Sequence, residues 1–223
     1  MDFPALGLTI RLACVTTLVL LVVATPLAAW ISSGRGWGRR VVQAVVALPL
    51  VLPPTVLGFY LLVGLGPSTA VGRVVVAVLG HPLAFTFSGL VVGSVVYSLP
   101  FAVQPLVAGF AGVDWGLVET ARVLGGSPWV VFRRVVMPLS RMSFLMAAVL
   151  TFAHTVGEFG VVLMVGGDIP GVTRTLSISI FDQVQEANYS GANRTAIWLV
   201  MLSFVALLVV YARGGLRRGA EVG

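Results

Sequence analysis

The sequence predicts an all-α polytopic membrane protein with about five transmembrane helices, folded as one domain over residues 1–223. Two observations predict this fold class. First, 58% of the residues are hydrophobic and only 10% are charged, whereas a soluble domain carries about 25% charged residues. Second, the apolar residues fall in long uncharged stretches, and a membrane-spanning helix needs about 20 such residues.

Five apolar stretches predict the spans in chain order. They are residues 12–34, 41–72, 83–106, 142–167 and 195–212, and the fourth contains a single acid, Glu158. Residues 69–79 precede a Gly80-His81-Pro82 break and are too short to cross a bilayer, so we expect them at the membrane interface or in a re-entrant segment. Two polar connections remain, at about residues 111–141 and 167–194. Within the second, residues 175–186 predict a short amphipathic helix.

The arginines predict the orientation of the chain. Ten of the 14 basic residues follow spans one, three and five, and Arg35 is among the first of them. The positive-inside rule places this side in the cytoplasm. The N-terminus is then extracytoplasmic, the C-terminus and residues 111–141 are cytoplasmic, and residues 167–194 are extracytoplasmic.

Several function classes are excluded by what the sequence lacks. It contains no lysine and therefore no phosphate loop of the G-x-x-x-x-G-K-[ST] type, so any ATP hydrolysis would fall to a separate chain. Cys14, His81 and His154 are too few and too separated for a metal site. No set of nucleophile, base and orienting group is recognisable, so we expect neither enzyme activity nor a cofactor in this chain. The excess of arginine indicates membrane flanks rather than nucleic-acid binding.

The cytoplasmic connection carries a helix–turn–helix pattern. Asp114 is a good N-cap, and apolar residues follow it at helical spacing. Gly125-Gly126 ends this helix and Ser127-Pro128 starts the next. A short amphipathic helix on the cytoplasmic face fits either a groove on a partner protein or the lipid surface.

The spacing within this connection resembles the EAA motif of ABC importer permeases, E-A-A-x3-G-x9-I-x-L-P. Thr120, Val135 and Met137 stand where that motif has Ala, Ile and Leu. The resemblance implies a coupling helix that docks into a cytoplasmic ATP-binding subunit. The residues that it assigns to this coupling are Glu119, Thr120, Ala121, Gly125, Gly126 and Pro138.

Three membrane segments narrow the resemblance to molybdate permeases of the plasma membrane of prokaryotes. Residues 48–58 resemble their "LPLVLPP-x-V-x-G" run, and residues 157–160 the "GEFG" signature that sulfate permeases share. Residues 166–176 resemble their "NIPG-x-TRT" loop, with Asp168 in place of Asn. Tungstate permeases share much of this pattern.

The resemblance implies the ABC importer permease fold and a transport subunit for molybdate. Tungstate, a closely similar oxyanion, remains an alternative substrate. The resemblance implies three partners: a cytoplasmic ATP-binding subunit, an extracytoplasmic molybdate-binding protein, and a second copy of this chain. The alternatives are a sulfate-type oxyanion permease of the same family and a secondary transporter. The latter would show inverted repeats and paired intramembrane ion ligands, and neither is found in the sequence.

Glu158 is the acid inside a predicted span, and such residues are costly enough to indicate function. It fits a gate of the translocation pathway, a hydrogen-bond acceptor where Gly157 and Gly160 allow helices to approach closely, or a proton relay with His154. A carboxylate repels an oxyanion, so we do not expect it to bind the substrate.

Prolines and hydroxyls complete the candidate pathway. Prolines in spans two and three, Pro100 and Pro105 among them, predict kinks that are either static or mobile. Hydroxyls inside the spans are candidate donors to an oxyanion, although such side chains often bond to their own helix. The candidate pathway residues are Pro53, Pro54, Thr55, Ser98, Thr155 and Glu158.

Overall fold

The computed structural model describes residues 2–34 and 36–218, so Arg35 lies outside the described residues. All regular structure in this part of the chain is helical. The helices are α1 (Phe3–Ser32), α2 (Trp37–Leu50), α3 (Pro54–Gly64), α4 (Ala70–Leu79), α5 (Phe87–Ala111), α6 (Trp115–Val123), α7 (Pro128–Leu139), α8 (Arg141–Gly157), α9 (Gly160–Gly166), α10 (Leu176–Gln185) and α11 (Tyr189–Arg218).

The long helices confirm the predicted fold class. Three helices, α1, α5 and the apolar part of α11, are long and apolar enough to cross a membrane, and the number rises to five if each bent pair is one span. α1 packs against α5 and α8, and α5 packs against α8. These three helices form the bundle that positions the candidate site.

The second predicted span is a sharply bent pair of helices. α2 ends in a single 3₁₀ turn at Leu48–Leu50, and α3 begins at Pro54, at an angle of 110° to α2. Pro53 and Pro54 have no backbone N–H, so they cannot continue the hydrogen bonding of α2 but suit the first turn of α3. In contrast, Pro100 and Pro105 lie inside α5 without ending it.

The fourth predicted span, residues 142–167, is wrong as a single helix. α8 ends at Gly157, Glu158 is extended with ψ 132°, and α9 starts at Gly160. α9 packs against α3, and a Cβ on Gly160 would lie 2.7 Å from Cβ of Pro54. The glycine at position 160 therefore lets α9 come this close to α3. A hydropathy profile of the sequence carries no information on such a contact.

Two apolar clusters fill the bundle. One lies toward the C-terminal ends of α1 and α5 and includes Leu20, Leu106 and Phe110; the other lies toward their N-terminal ends and includes Leu12 and Leu90. The break between α8 and α9 borders the second cluster, because Phe159 packs against it.

Two short helices lie where the sequence places them. α4 has ten residues and is too short to span, as expected for residues 69–79. α10 corresponds to the amphipathic helix expected at residues 175–186, with Thr175 as its N-cap.

Candidate functional site

A cavity of about 490 Å³ opens at the break between α8 and α9. It lies between α3, α5 and α8, and the break itself forms one wall. Its lining residues are Pro54, Thr55, Tyr97, Ala153, His154, Gly157, Glu158, Phe159 and Gly160. Three residues of the candidate pathway, Pro54, Thr55 and Glu158, therefore meet in one cavity, and Pro53 precedes them as the N-cap of α3.

Glu158 is a buried acid in this cavity wall, with 4% of its surface exposed. Neither oxygen of its carboxyl has a hydrogen-bond partner among the described residues. Its backbone carbonyl does have one, because the Ser177 hydroxyl donates to it at 2.5 Å. A buried carboxyl without partners is costly, and a residue kept at such a cost is a candidate for function.

Ser98 and Thr155 lie at the contact between α5 and α8. The Ser98 hydroxyl is 2.9 Å from Nδ1 of His154 and 3.1 Å from Oγ1 of Thr155. Both hydroxyls are buried and are paired within the protein. They therefore join two helices beside the cavity, whereas Thr55 faces the cavity itself.

The imidazole of His154 is held by aromatic neighbours that the sequence analysis missed. Its ring stacks on Phe101 at 4.0 Å and lies 4.7 Å from the ring of Tyr97. The relay between His154 and Glu158 presupposed a continuous helix, but α8 ends between them. The sequence does contain one signal for this aromatic contact, because Tyr97 is a tyrosine inside an apolar span, next to Ser98.

The connection at residues 111–141 folds as a helix, an elbow and a second helix. The Asp114 carboxylate accepts the N–H of Gly116 at 2.8 Å and caps α6. The N–H groups of Gly125 and Gly126 bond to the carbonyls of Arg122 and Ala121, which is the Schellman arrangement. Gly125 has a φ of 85°, a conformation that favours glycine.

One face of this connection is buried and the other is exposed. Val118 of α6 and Val131 of α7 pack with Val113, and Ala121 packs against them. At the tip, Val123 and Leu124 are 88% and 83% exposed. The segment thus presents apolar side chains outward from a fixed elbow, as a docking element does.

The remaining coupling candidates lie around this tip. Glu119 and Thr120 are exposed on α6, and the Thr120 hydroxyl donates to the carbonyl of Gly116. Pro138 is exposed near the end of α7, which contains one π turn at Phe132–Val136. All six coupling candidates therefore lie within one helix–elbow–helix unit.

Residues 15–216 match the family described as the inner membrane component of binding-protein-dependent transport systems. The chain belongs to this family. The match covers most of α1, the cavity at the break and the helix–elbow–helix unit of α6 and α7.

Members of this family from distant organisms resemble the chain over nearly its whole length. It is 50% identical to the molybdenum transport system permease protein ModB of Azotobacter vinelandii, over 98% of this chain and 96% of that protein. It is 34% identical to the putative molybdenum transport system permease protein YvgM of Bacillus subtilis, over 93% of this chain and 92% of that protein.

Solved structures of ABC importers share the fold of this family member. A bacterial ABC transporter that imports the acidic polysaccharide alginate matches with a TM-score of 0.73 and 21% identity, covering 97% of this chain and 78% of that chain. An amino acid ABC transporter matches with a TM-score of 0.56 and 20% identity, covering 97% and 93%. The chain is thus a transport component with the ABC importer permease fold, and not an enzyme.

The connection after α9 of this permease carries an ionic cluster. Arg174 bonds both carboxylate oxygens of Asp168, and its Nη2 lies 2.8 Å from Oδ2 of Asp168 and 3.4 Å from Oδ2 of Asp182. The hydrogen bonds from Arg174 lower the pKa of Asp168. Desolvation, together with the neighbouring Asp168, raises the pKa of Asp182 to about 6. The cluster fixes residues 168–174 against α10.

Proposed function

We propose that this chain is the membrane permease subunit of an ATP-driven importer of molybdate. The observation that carries the proposal is the 50% identity, over 98% of this chain, to a protein named as a molybdenum transport permease. The segments that resemble molybdate permeases include both walls of the cavity, residues 48–58 on one side and 157–160 on the other. Tungstate, a closely similar oxyanion, is the alternative substrate.

The exposed elbow of the cytoplasmic connection is the proposed contact with a separate ATP-binding subunit. Val123 and Leu124 enter a cleft on that subunit, and Gly125 and Gly126 set the angle between α6 and α7. Glu119, Thr120, Ala121 and Pro138 belong to the same unit. This chain supplies no ATP site and needs no cofactor, because its partner binds and hydrolyses ATP.

The cavity at the break is the proposed gate of the translocation pathway. Pro53, Pro54 and Thr55 form the wall on α3, and Glu158 forms the wall on the break. Ser98 and Thr155 hold α5 against α8 behind it. The Glu158 side chain is buried at this wall, and its place at the break, where a membrane segment keeps an acid at a cost, is what assigns it to the gate.

The pathway itself requires a second copy of this chain and a protein that delivers the substrate. Two copies pair around a central route, and an extracytoplasmic binding protein supplies molybdate to it. The N-terminus is extracytoplasmic and the C-terminus cytoplasmic. The distribution of arginine supports this orientation, as does the need for the elbow to reach a cytoplasmic ATPase.

The test is the molybdenum content of cells at nanomolar external molybdate, measured by mass spectrometry with and without this chain. Loss of molybdenum without the chain, with uptake inhibited by excess tungstate but not by excess sulfate, supports the proposal. A loss of sulfate uptake instead indicates the sulfate-type alternative. Uptake that continues after loss of the ATP-binding subunit indicates a secondary transporter and overturns the proposal.

A further inference from the structure

The polar groups at the start of α10 form one directed chain of hydrogen bonds. The N–H of Ile178 donates to Oγ1 of Thr175, and the two hydroxyls of Thr175 and Ser177 are 2.9 Å apart. The Ser177 hydroxyl donates to the backbone carbonyl of Glu158. Its single hydrogen is used there, so Thr175 must donate to Ser177. The chain therefore runs from the backbone of α10 to the break in the membrane.

Aromatic packing supports the same connection. The ring of Phe159, the second residue of the break, lies 5.0 Å from the ring of Phe181 on α10. Phe159 also packs against the buried cluster that contains Ile178. The two nonhelical residues of the break, Glu158 and Phe159, thus each contact α10 directly.

The start of α10 is held to the loop before it and to α1. Arg174 bonds Asp168 and lies near Asp182 of α10. The Leu176 N–H donates to Oγ1 of Thr9 on α1 at 2.9 Å. Residues 168–182 are therefore held together, and this segment is joined to α1 at Thr9 and to the break at Ser177.

We propose that Ser177 is a positioning residue for the break, through which docking of the extracytoplasmic binding protein sets the conformation of Glu158 and Phe159. The inference rests on the proposed function, which places residues 167–194 on the side of the binding protein. The hydroxyl acts through the backbone carbonyl of Glu158. Removing it leaves α10 folded, because Thr175 still caps the helix, but weakens its hold on the break.

The experiment uses the whole transporter in proteoliposomes, with its ATP-binding subunit and its binding protein. The measured quantity is the ratio of the ATPase rate with molybdate-loaded binding protein to the rate without binding protein. Ser177→Ala is expected to lower this ratio about fivefold, the effect of losing one hydrogen bond. Ser177→Thr keeps a hydroxyl and is expected to restore the ratio.

Ser190→Ala is the matched control. Ser190 is an exposed serine at the start of α11, and its hydroxyl bonds to Asn188 rather than to the break. Its ratio is expected to equal that of the wild type. A purely structural role for Ser177 would lower both ATPase rates in proportion and leave the ratio unchanged, which would overturn the inference. Failure of Ser177→Thr to restore the ratio would also overturn it.

A second variant covers the case in which Ser177→Ala does not assemble. Phe181→Leu removes the ring that contacts Phe159 and is also expected to lower the ratio of the two ATPase rates. An unchanged ratio contradicts the inference. The substrate is tested separately by molybdate uptake into the same vesicles. A wild-type transporter that responds to its binding protein but takes up no molybdate overturns the proposed substrate, while the comparison of Ser177 variants still decides the inference.

Discussion

The Ser98 hydroxyl of α5 lies 2.9 Å from Nδ1 of His154 on α8, and the pair joins the two helices beside the cavity. The same hydroxyl is 3.1 Å from Oγ1 of Thr155, so one small side chain contacts two partners. Phe101 stacks on the imidazole and fixes its plane. Polar contacts of this kind between membrane helices contribute about 0.6 kcal/mol on average.

Ser98→Ala is therefore expected to lower the free energy of unfolding by about 1 kcal/mol, since two partners lose a hydrogen bond. Thermal unfolding of the purified protein in detergent measures the effect as a lower melting temperature. Ser33→Ala is the control, because the exposed Ser33 hydroxyl donates to the carbonyl of Trp30 in its own helical turn and does not join two of the described helices. Equal melting temperatures for the two variants would contradict the role of Ser98 as a tie between helices.

Much of the helical framework could be predicted from the sequence, because it depends on local signals. Uncharged length predicts α1, α5 and α11, and the shortness of α4 follows from the Gly80 break. Side-chain caps are equally local, and Asp114 caps α6 as predicted, while Thr175 caps the predicted helix α10.

The break at Glu158 could not be predicted, because the contacts that accompany it are distant in sequence. Gly160 packs against Pro54 from another helix, and Ser177 of α10 donates to the carbonyl of Glu158. Hydropathy is the same for a straight and a broken helix. The predicted relay between His154 and Glu158 depended on a straight one.

Gly125→Ala tests the elbow between α6 and α7. Gly125 has a φ of 85°, and a side chain there costs about 1–2 kcal/mol, although space for a Cβ is open. We expect association with the ATP-binding subunit to weaken about tenfold if this strain changes the angle of the elbow. Copurification of the two subunits and titration of the complex measure it.

Gly112→Ala is the matched control for the elbow. Gly112 is also exposed and ends a helix, but its φ of −84° suits any residue. Its affinity for the ATP-binding subunit is expected to match that of the wild type. If Gly125→Ala also binds with wild-type affinity, the positive φ has no part in coupling.

Glu158→Gln distinguishes a gate from a structural acceptor. The carboxyl oxygens have no partner among the described residues, so an uncharged amide of similar shape is expected to preserve or raise the melting temperature. If the carboxyl controls the pathway, the rate of molybdate uptake changes at the same time, by about tenfold. Thermal unfolding and vesicle uptake are measured on the same preparation. A fall in melting temperature with unchanged uptake per folded transporter would identify a structural acceptor instead.

The ionic cluster of Asp168, Arg174 and Asp182 predicts a pH dependence of stability with a defined sign. Desolvation raises the pKa of Asp182 from its ordinary value of 3.8 to about 6, so the folded state holds a proton that the unfolded chain releases between these values. The contribution of Asp182 to stability therefore decreases as the pH rises from about 4 to 6. Asp168, whose pKa is lowered, contributes in the opposite sense and loses its contribution in acid.

Asp182→Asn isolates the first of these effects. The groups around it are Asp168, Arg174 and Glu186, and the variant removes the carboxyl that is ionised at neutral pH against a desolvation cost. Its melting temperature is expected to exceed that of the wild type at pH 7.5, and the difference is expected to shrink toward pH 4.5, where Asp182 of the folded wild type is protonated and no longer buries a charge. Asp168→Asn breaks the pair with Arg174 and is expected to lower the melting temperature at pH 7.5. Stabilisation by Asp182→Asn that is independent of pH would show that the ionisation of this carboxyl is not its cause.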